Sequence, residues 1–364
     1  MAELKNINLA FAAIDKKIEQ TIPLPKESED RGKNYIYWGD SNDYPVFLHR
    51  LYLECPTLQT IINGTTDYVV GNGVTCSKLE YPNNKKQSWD ELFTLLAADY
   101  LNFGVVYIQV IRNTRGEIVE FYHLDARFVR SDYENEMFFY NEDFAKRYSR
   151  SSKTIIYPKF VEGADVPASI ICIKTPHSRG VYGTPIWGSA VKSVVTEIEI
   201  DNFHLSELDN NFAGSAIINF NNGIPTDEQI SDIEKNITEK WVGSENAGRF
   251  VLSFNNGKDN ATTIERLAAD DFDKRYESLA KKTQNQIFTA FGANPNLFGC
   301  SSEGSTGFNQ EEYESSFKLY NRTRVKPIQL KLCDAFDRAL SQKGVMTIRP
   351  FSLSDNNNEE QVVK

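Results

Sequence analysis

Histidine is scarce in this chain: 364 residues hold four, His49, His123, His177 and His204. No cysteine or second histidine stands three or four residues from His204, so a helical metal pair is excluded there and a satisfied structural histidine is expected. Ser178 follows His177, but no Gly-x-Ser-x-Gly turn exists, which leaves a hydrolase triad without support. The five cysteines, Cys55, Cys76, Cys172, Cys300 and Cys333, are far apart and form no CxxC pair. That excludes a zinc ribbon and a disulfide scaffold, and reduced thiols are expected. No Walker A loop is present; Gly71-Asn72-Gly73 lacks a third glycine and follows a helical pattern, so it reads as a turn. No window reaches the ~18 uncharged apolar residues of a membrane span. The start, Met1-Ala2-Glu3-Leu4-Lys5, lacks a basic region leading into an apolar run, so no signal peptide is expected. The Asn-x-Ser/Thr matches at Asn63, Asn236, Asn260 and Asn321 are then coincidental. Positive charge is also short. Lys and Arg number 40 against 50 acids, a net charge of −10, which argues against a broad basic surface that grips nucleic acid. The acidic sets Asp270/Asp271/Asp273 and Glu311/Glu312/Glu314 lie in first helical turns, where the helix dipole explains them without metal. No catalytic residue, metal ligand or cofactor is expected.

What is present changes period along the chain. Residues 1–36 read as an N-terminal arm carrying the charged run Lys26-Glu27-Ser28-Glu29-Asp30-Arg31. Helices are expected at 45–53 and 56–70, and a third after the capping box Ser88-Trp89-Asp90-Glu91. Residues 103–111 and 116–124 form a hairpin around Asn113-Thr114-Arg115-Gly116, and further strands fall at 137–140, 154–157 and 169–174. The organising stretch follows. From Ser189 to Ala213 there is neither proline nor glycine, and Ile186, Ala190, Val194, Ile198, Leu205, Leu208 and Phe212 recur at roughly helical spacing. A helix over 185–212, about 28 residues, makes a rod of roughly 40 Å. Residues 215–220 then read as a strand, Thr226-Asp227-Glu228-Gln229 caps a helix to Trp241, and 250–254 is a second strand. A strand at 262–267 and a second long helix over 270–291 follow, the latter with Phe272, Tyr276, Leu279, Ile287 and Phe291 as its stripe. The two long helices are expected to pack through Val194, Ile198, Leu205, Leu279 and Ile287. Residues 292–307 are rich in Gly, Ser and Asn and read as a mobile loop. A helix over 309–340, interrupted near Pro327, and a strand over 345–351, expected to join the sheet of the first half, precede a polar tail.

Five short motifs stand in this frame. They are Tyr37-Trp38-Gly39-Asp40-Ser41-Asn42-Asp43-Tyr44-Pro45, then Tyr182-Gly183-Thr184-Pro185-Ile186 before the first rod. Next come Trp241, six residues, and Gly248-Arg249-Phe250-Val251-Leu252. After the second rod stands Phe291-Gly292-Ala293-Asn294-Pro295-Asn296-Leu297-Phe298-Gly299. Last is the acidic start Asn309-Gln310-Glu311-Glu312, whose helix reaches Val325-Lys326-Pro327-Ile328. By number, order and spacing, residues 37–351 resemble the bacteriophage portal (head-tail connector) protein family.

The resemblance implies an α+β portal fold with an α/β wing, long stem helices and a small β-α-β clip. It divides the chain into an arm (1–36), a wing (37–182), a first stem helix (183–213), a clip (214–268) and a second stem helix (269–292). A tunnel loop (293–308), a wing helix with a closing strand (309–352) and a polar tail (353–364) complete it. Only a short tail remains where relatives carry a helical crown, so a form with little or no crown is expected. It also implies a homo-oligomeric ring, a dodecamer, in the virion at a capsid vertex, with non-specific double-stranded DNA in its channel. The implied partners are the terminase large subunit, the major capsid protein and head-completion or adaptor proteins, with no membrane. The acidic balance fits a duct that repels phosphate and lets a duplex slide. The channel residues implied are Asn294, Asn296, Ser301, Ser302, Glu303, Ser305 and Thr306. Ile198, Glu199, Leu205, Lys281 and Lys282 belong to the stem, and Lys235, Lys240, Trp241, Asn246 and Arg249 to a docking surface on the clip. Two other classes fit less of the pattern: another neck or tail ring adaptor, and a nucleic-acid-processing enzyme built on an acidic cluster.

Overall fold

The computed structural model describes residues 22–23, 25–29, 34–145, 153–209, 217–220, 251–254, 270–300 and 310–351. Strands β1 (Glu27–Glu29) and β2 (Ile36–Trp38) pair antiparallel. Helices α1 (Tyr44–Glu54) and α2 (Pro56–Val70) follow, each with proline in its first turn, where a missing N–H costs nothing. After β3 (Val74–Cys76) comes α3 (Trp89–Phe103). The Ser88 hydroxyl accepts from the Glu91 N–H and the Glu91 carboxylate accepts from the Ser88 N–H, both at 3.1 Å, so α3 begins at the predicted capping box.

The alternating stretch after α3 forms β4 (Val105–Arg112) and β5 (Ile118–Leu124), the predicted hairpin. The next strands are β6 (Val129–Ser131), β7 (Met137–Tyr140), β8 (Ile155–Pro158) and β9 (Ala168–Lys174). They make two three-stranded sheets, β5-β4-β9 and β6-β7-β8, antiparallel throughout. The central strand β4 is buried along nearly its whole length, which is why it reads as a continuous apolar run rather than an alternation.

The chain divides into two compact units, Met1–Ser189 with Ala290–Lys364, and Ala190–Thr289. The second holds α4 (Val191–Asp209), β10 (Ile217–Phe220), β11 (Val251–Phe254) and the bulk of α5 (Asp270–Phe291). Strands β10 and β11 pair in parallel, Ile217 opposite Val251, as a crossover connection requires. The predicted helix between them and the strand at 262–267 lie outside the described residues.

Helix α4 begins later than the apolar spacing predicts. Residues 185–188 form a turn closed by the Gly188 N–H on the Pro185 carbonyl at 3.0 Å, and a short 3-10 turn, Gly188–Ala190, leads into Val191. Trp187 is wholly buried in that turn, so its apolar character serves the anchoring of the chain and not the stripe. The stripe itself holds at one end only. Val194, Ile198 and Ile287 are buried, but Leu205 and Leu279 are 60% and 40% exposed and do not pack as expected. At the buried end the Ser193 hydroxyl donates to the Gln286 amide oxygen at 2.8 Å and ties the two helices. Ile198→Ala should therefore lower stability by about 2–4 kcal/mol. Leu205→Ala should leave an isolated chain within about 0.5 kcal/mol of wild type. Equal melting shifts for the two variants would contradict this assignment.

The first unit closes with α6 (Gln310–Tyr320), a π-turn (Asn321–Val325), α7 (Lys326–Ala339) and β12 (Met346–Ile348). Pro327 has no N–H for the Thr323 carbonyl, and its ring would press on that group. The helix responds by widening: the Lys326 N–H bonds the Asn321 carbonyl, an i to i−5 link, and the axis continues unbroken. Phe336 on α7 fills the space between Trp89, Phe93 and Phe121, with ring centroids 5.0–5.5 Å away. Strand β12 pairs with β3, Ile348 opposite Val74, and not with the larger sheet as expected. Bonds from the Asn72 N–H to the Arg349 carbonyl and from the Arg349 N–H to the Gly73 carbonyl continue that ladder.

One buried pair was not legible in the sequence. His123 Nε2 stands 2.7 Å from the Asp99 carboxylate, which also accepts the Ala126 N–H at 3.2 Å. Burial pulls the His123 pKa down, but the Asp99 charge and hydrogen bond outweigh it and hold it above the ordinary value. Burial also raises Asp99. Both groups thus bind protons more tightly in the fold, so the contribution of this pair to stability falls as pH rises. The His123 contribution is complete below about pH 6.5 and is lost as pH climbs through its raised value. Urea melts across about pH 6 to 9 should show this decline, and His123→Gln should reduce it. Identical pH dependence in the two proteins would contradict the pairing.

Candidate functional site

Two anchored turns flank the Ala190–Thr289 unit in the chain. The first is the Tyr182-Gly183-Thr184-Pro185 motif. The Glu27 carboxylate on β1 accepts the Val181 and Tyr182 N–H groups, each at 2.9 Å. The Tyr182 ring stacks flat on Trp38, 4.5 Å between centroids and 2° between planes. Its hydroxyl donates to the Ile36 carbonyl and accepts the Ser131 N–H. Burial holds this phenol well above its ordinary pKa, so it stays neutral and able to donate. Gly183 and Gly104 touch backbone to backbone: a Cβ on Gly104 would sit 2.3 Å from the Thr184 carbonyl oxygen. Below them Arg130 is wholly buried. Its guanidinium donates to the Asn42 side chain and to the carbonyls of Asn42, Arg127 and Val129. It also lies 4.9 Å from the Phe144 ring centre, so its donors are spent without a carboxylate.

The second turn follows α5. Gly292 adopts φ +62°, and the Arg324 guanidinium from the π-turn lies 2.6 Å from where a Cβ would stand. Only glycine leaves room for both the backbone and that cation. The Asn294 side chain then accepts the Asn296 N–H at 3.0 Å and donates to the Ser316 hydroxyl at 3.0 Å. It caps a 3-10 turn, Pro295–Phe298. The Tyr68 hydroxyl donates to the Leu297 carbonyl at 2.8 Å, and Phe298 sits edge-on to Tyr320. Gly64 on α2 leaves the space that the Phe298 ring occupies.

The composition of 292–307 predicts mobility, and its first half differs. Residues 293–300 are held to α2 and α6 by an apolar and aromatic seat, because Leu297 and Phe298 carry enough apolar surface to anchor what Asn and Gly alone would leave free. Asn294 spends its amide inside the chain. Asn296 makes no side-chain hydrogen bond among the described residues, whereas Ser301, Ser302, Glu303, Ser305 and Thr306 lie outside them.

Of the expected stem residues, Ile198 is buried, while Glu199, Leu205, Lys281 and Lys282 are exposed. Lys281 donates to Glu277 one turn away at 2.8 Å. The clip residues Lys235, Lys240, Trp241, Asn246 and Arg249 lie outside the described residues. The sequence reading missed the Glu27 grip, which joins positions 154 residues apart and leaves no local signal. It also missed the π-turn, for which Pro327 was the available sign. Among the described residues no cluster of His, Cys, Asp or Glu is placed to hold a metal ion, and no helix is long and apolar enough to cross a membrane.

Comparison with known proteins agrees with this arrangement. An uncharacterized protein of Rickettsia bellii (strain RML369-C) is 22% identical over 277 residues, 75% of this chain and 67% of that protein. Among solved structures, the neck of a native gene transfer agent particle, computed with C12 symmetry, is similar over 88% of this chain and 84% of its own, with 17% identity and a TM-score of 0.54. An HK97-family phage portal protein from Corynebacterium diphtheriae is similar over 82% and 92%, with 11% identity and a TM-score of 0.51. These likenesses establish a shared α+β fold. The profile of phage portal proteins matches residues 73–355, more than half the chain, and the chain therefore belongs to the phage portal protein family.

Proposed function

We propose that this portal protein forms a closed ring of about twelve copies at one capsid vertex, through which double-stranded DNA enters and leaves. The observation that carries the reading is the placement of the Ala190–Thr289 unit. Two long helices and a parallel strand pair are inserted between two turns, each locked by buried hydrogen bonds and aromatic seats. Two long helices bracketing a short strand pair suit the stem and clip that the family reading expects. The C12 symmetry of the similar neck structure supports the ring number. Leu205, Leu279 and Phe203 are exposed on the isolated chain, and neighbouring stalks would cover them.

The mechanism is passive. The ring supplies a duct whose acidic balance, −10 per chain, discourages phosphate from sticking. The sequence carries no Walker A loop, and the energy for packaging comes from a separate ATPase. The clip, with Lys235, Lys240, Trp241, Asn246 and Arg249, docks that terminase large subunit first and head-completion or adaptor proteins afterwards. The first unit seats among copies of the major capsid protein. The loop after α5 narrows the channel. Asn294 serves as its hinge pin, and Asn296, Ser301, Ser302, Ser305 and Thr306 meet DNA through sequence-blind hydrogen bonds, while Glu303 keeps the contact weak. Deleting residues 300–305 should spare ring formation, because the 3-10 turn and its aromatic seat remain. It should impair genome packaging or retention. Virions carrying the shortened loop with normally filled, stably held genomes would overturn the assignment.

A further inference from the structure

The outer faces of two helices in the first unit carry charges that meet no opposite charge among the described residues, and the signs are opposite. On α6, the π-turn and α7, Leu319, Arg322, Lys326 and Leu330 follow one another at steps of three and four residues, along one side of the helix. All four are exposed, Leu319 by 65% and Leu330 by 54%. The cations before and after them are paired within the helix, Lys318 to Glu314 and Arg338 to Asp334. Arg322 and Lys326 have no acid partner among the described residues. On α3, Asp90, Glu91 and Leu95 form a second exposed face. The two carboxylates accept backbone N–H groups of Val74 and Ser88, and neither meets a cation among the described residues.

The placement of these faces is as telling as their charge. Helices α3 and α7 meet through Phe93 and Phe336, whose rings are 5.4 Å apart. Leu95 lies about 200° round α3 from Phe93, and Leu330 about 200° round α7 from the buried Leu332. The two outer faces therefore look away from one another. Head-to-tail assembly into a closed ring needs just this: two different, complementary surfaces on opposite flanks of each subunit.

We propose that the basic-apolar face of Leu319, Arg322, Lys326 and Leu330 docks on the acidic face of Asp90, Glu91 and Leu95 of the next copy in the ring. This rests on the ring reading above. The apolar pairs Leu319/Leu330 and Leu95 supply burial, and the charges set direction and register.

Arg322→Glu with Lys326→Glu should leave the monomer folded, with an unchanged thermal melt, and weaken ring assembly by at least about tenfold. Adding Thr94→Lys to that chain, at an exposed position on the same side of α3 and outside the Ser88–Glu91 capping box, should restore rings. A photoreactive benzoylphenylalanine in place of Leu330, in rings mixed from 14N and 15N chains, should cross-link between chains to the peptide 89–98. Reversed chains that assemble as readily as wild type, or cross-links that map to another surface, would overturn the interface and leave the ring standing. A wild-type chain that never forms rings would overturn the ring reading and this interface with it.

Discussion

Gly104→Ala is expected to destabilise the protein by roughly 2–5 kcal/mol, from the sum of a left-handed backbone cost and a steric clash. Gly104 ends α3 at φ +73°, and its new methyl would lie 2.3 Å from the Thr184 carbonyl oxygen and 2.8 Å from the Pro185 nitrogen. Both neighbours are backbone and cannot swing aside. The Gly104 carbonyl accepts the Thr175 N–H at 2.9 Å, and the Thr175 hydroxyl donates to the Thr184 carbonyl at 2.8 Å. Any shift that relieves the clash therefore strains a bond that holds the Tyr182–Pro185 turn. A drop of several degrees or more in the melting temperature is the expected result. A melt within error of wild type would mean that the Tyr182–Pro185 turn does not rest on α3.

Trp38→Ala should cost about 3–5 kcal/mol, as for other large buried aromatics. Trp38 is 1% exposed and covers the Tyr182 ring, whose hydroxyl joins β2 to β6. Its loss opens a void beside the one stacked ring that links the N-terminal strands to the turn before α4. Hydrogen exchange at the Val181 and Tyr182 N–H groups, both held by Glu27, should speed up more than exchange in β4. Uniform acceleration throughout the protein would point to global destabilisation and against a local clasp.

Much of the fold was legible because it is local. The Ser88-Glu91 capping box, the 103–124 hairpin and the long run without proline or glycine all carry their structure in neighbouring residues. The two short apolar runs that form β10 and β11 were also legible, whereas their parallel pairing with each other is what the structure adds. What stayed hidden depends on contacts distant in sequence. Leu205 and Leu279 have the spacing of a core stripe, yet both are exposed and nothing among the described residues covers them, since spacing alone cannot distinguish a core from an unpartnered face. The composition of 292–300 indicated a loose loop, but Leu297 and Phe298 found a seat formed by Tyr68, Gly64 and Tyr320. That β12 pairs with β3, within the first half but apart from its larger sheet, was not legible because strand pairing is chosen by tertiary context. The motif at Tyr182–Pro185 pointed to the right place for reasons invisible in it, the grip of Glu27 and the close pass of Gly104.

The central claim is the ring. Native mass spectrometry of the purified full-length protein, with particle images down the symmetry axis, tests it most directly. The expected result is a closed ring with an axial hole and a mass about twelve times that of one chain, in keeping with head-to-tail closure. A protein that remains a monomer or a simple dimer at every concentration and salt tested would contradict it.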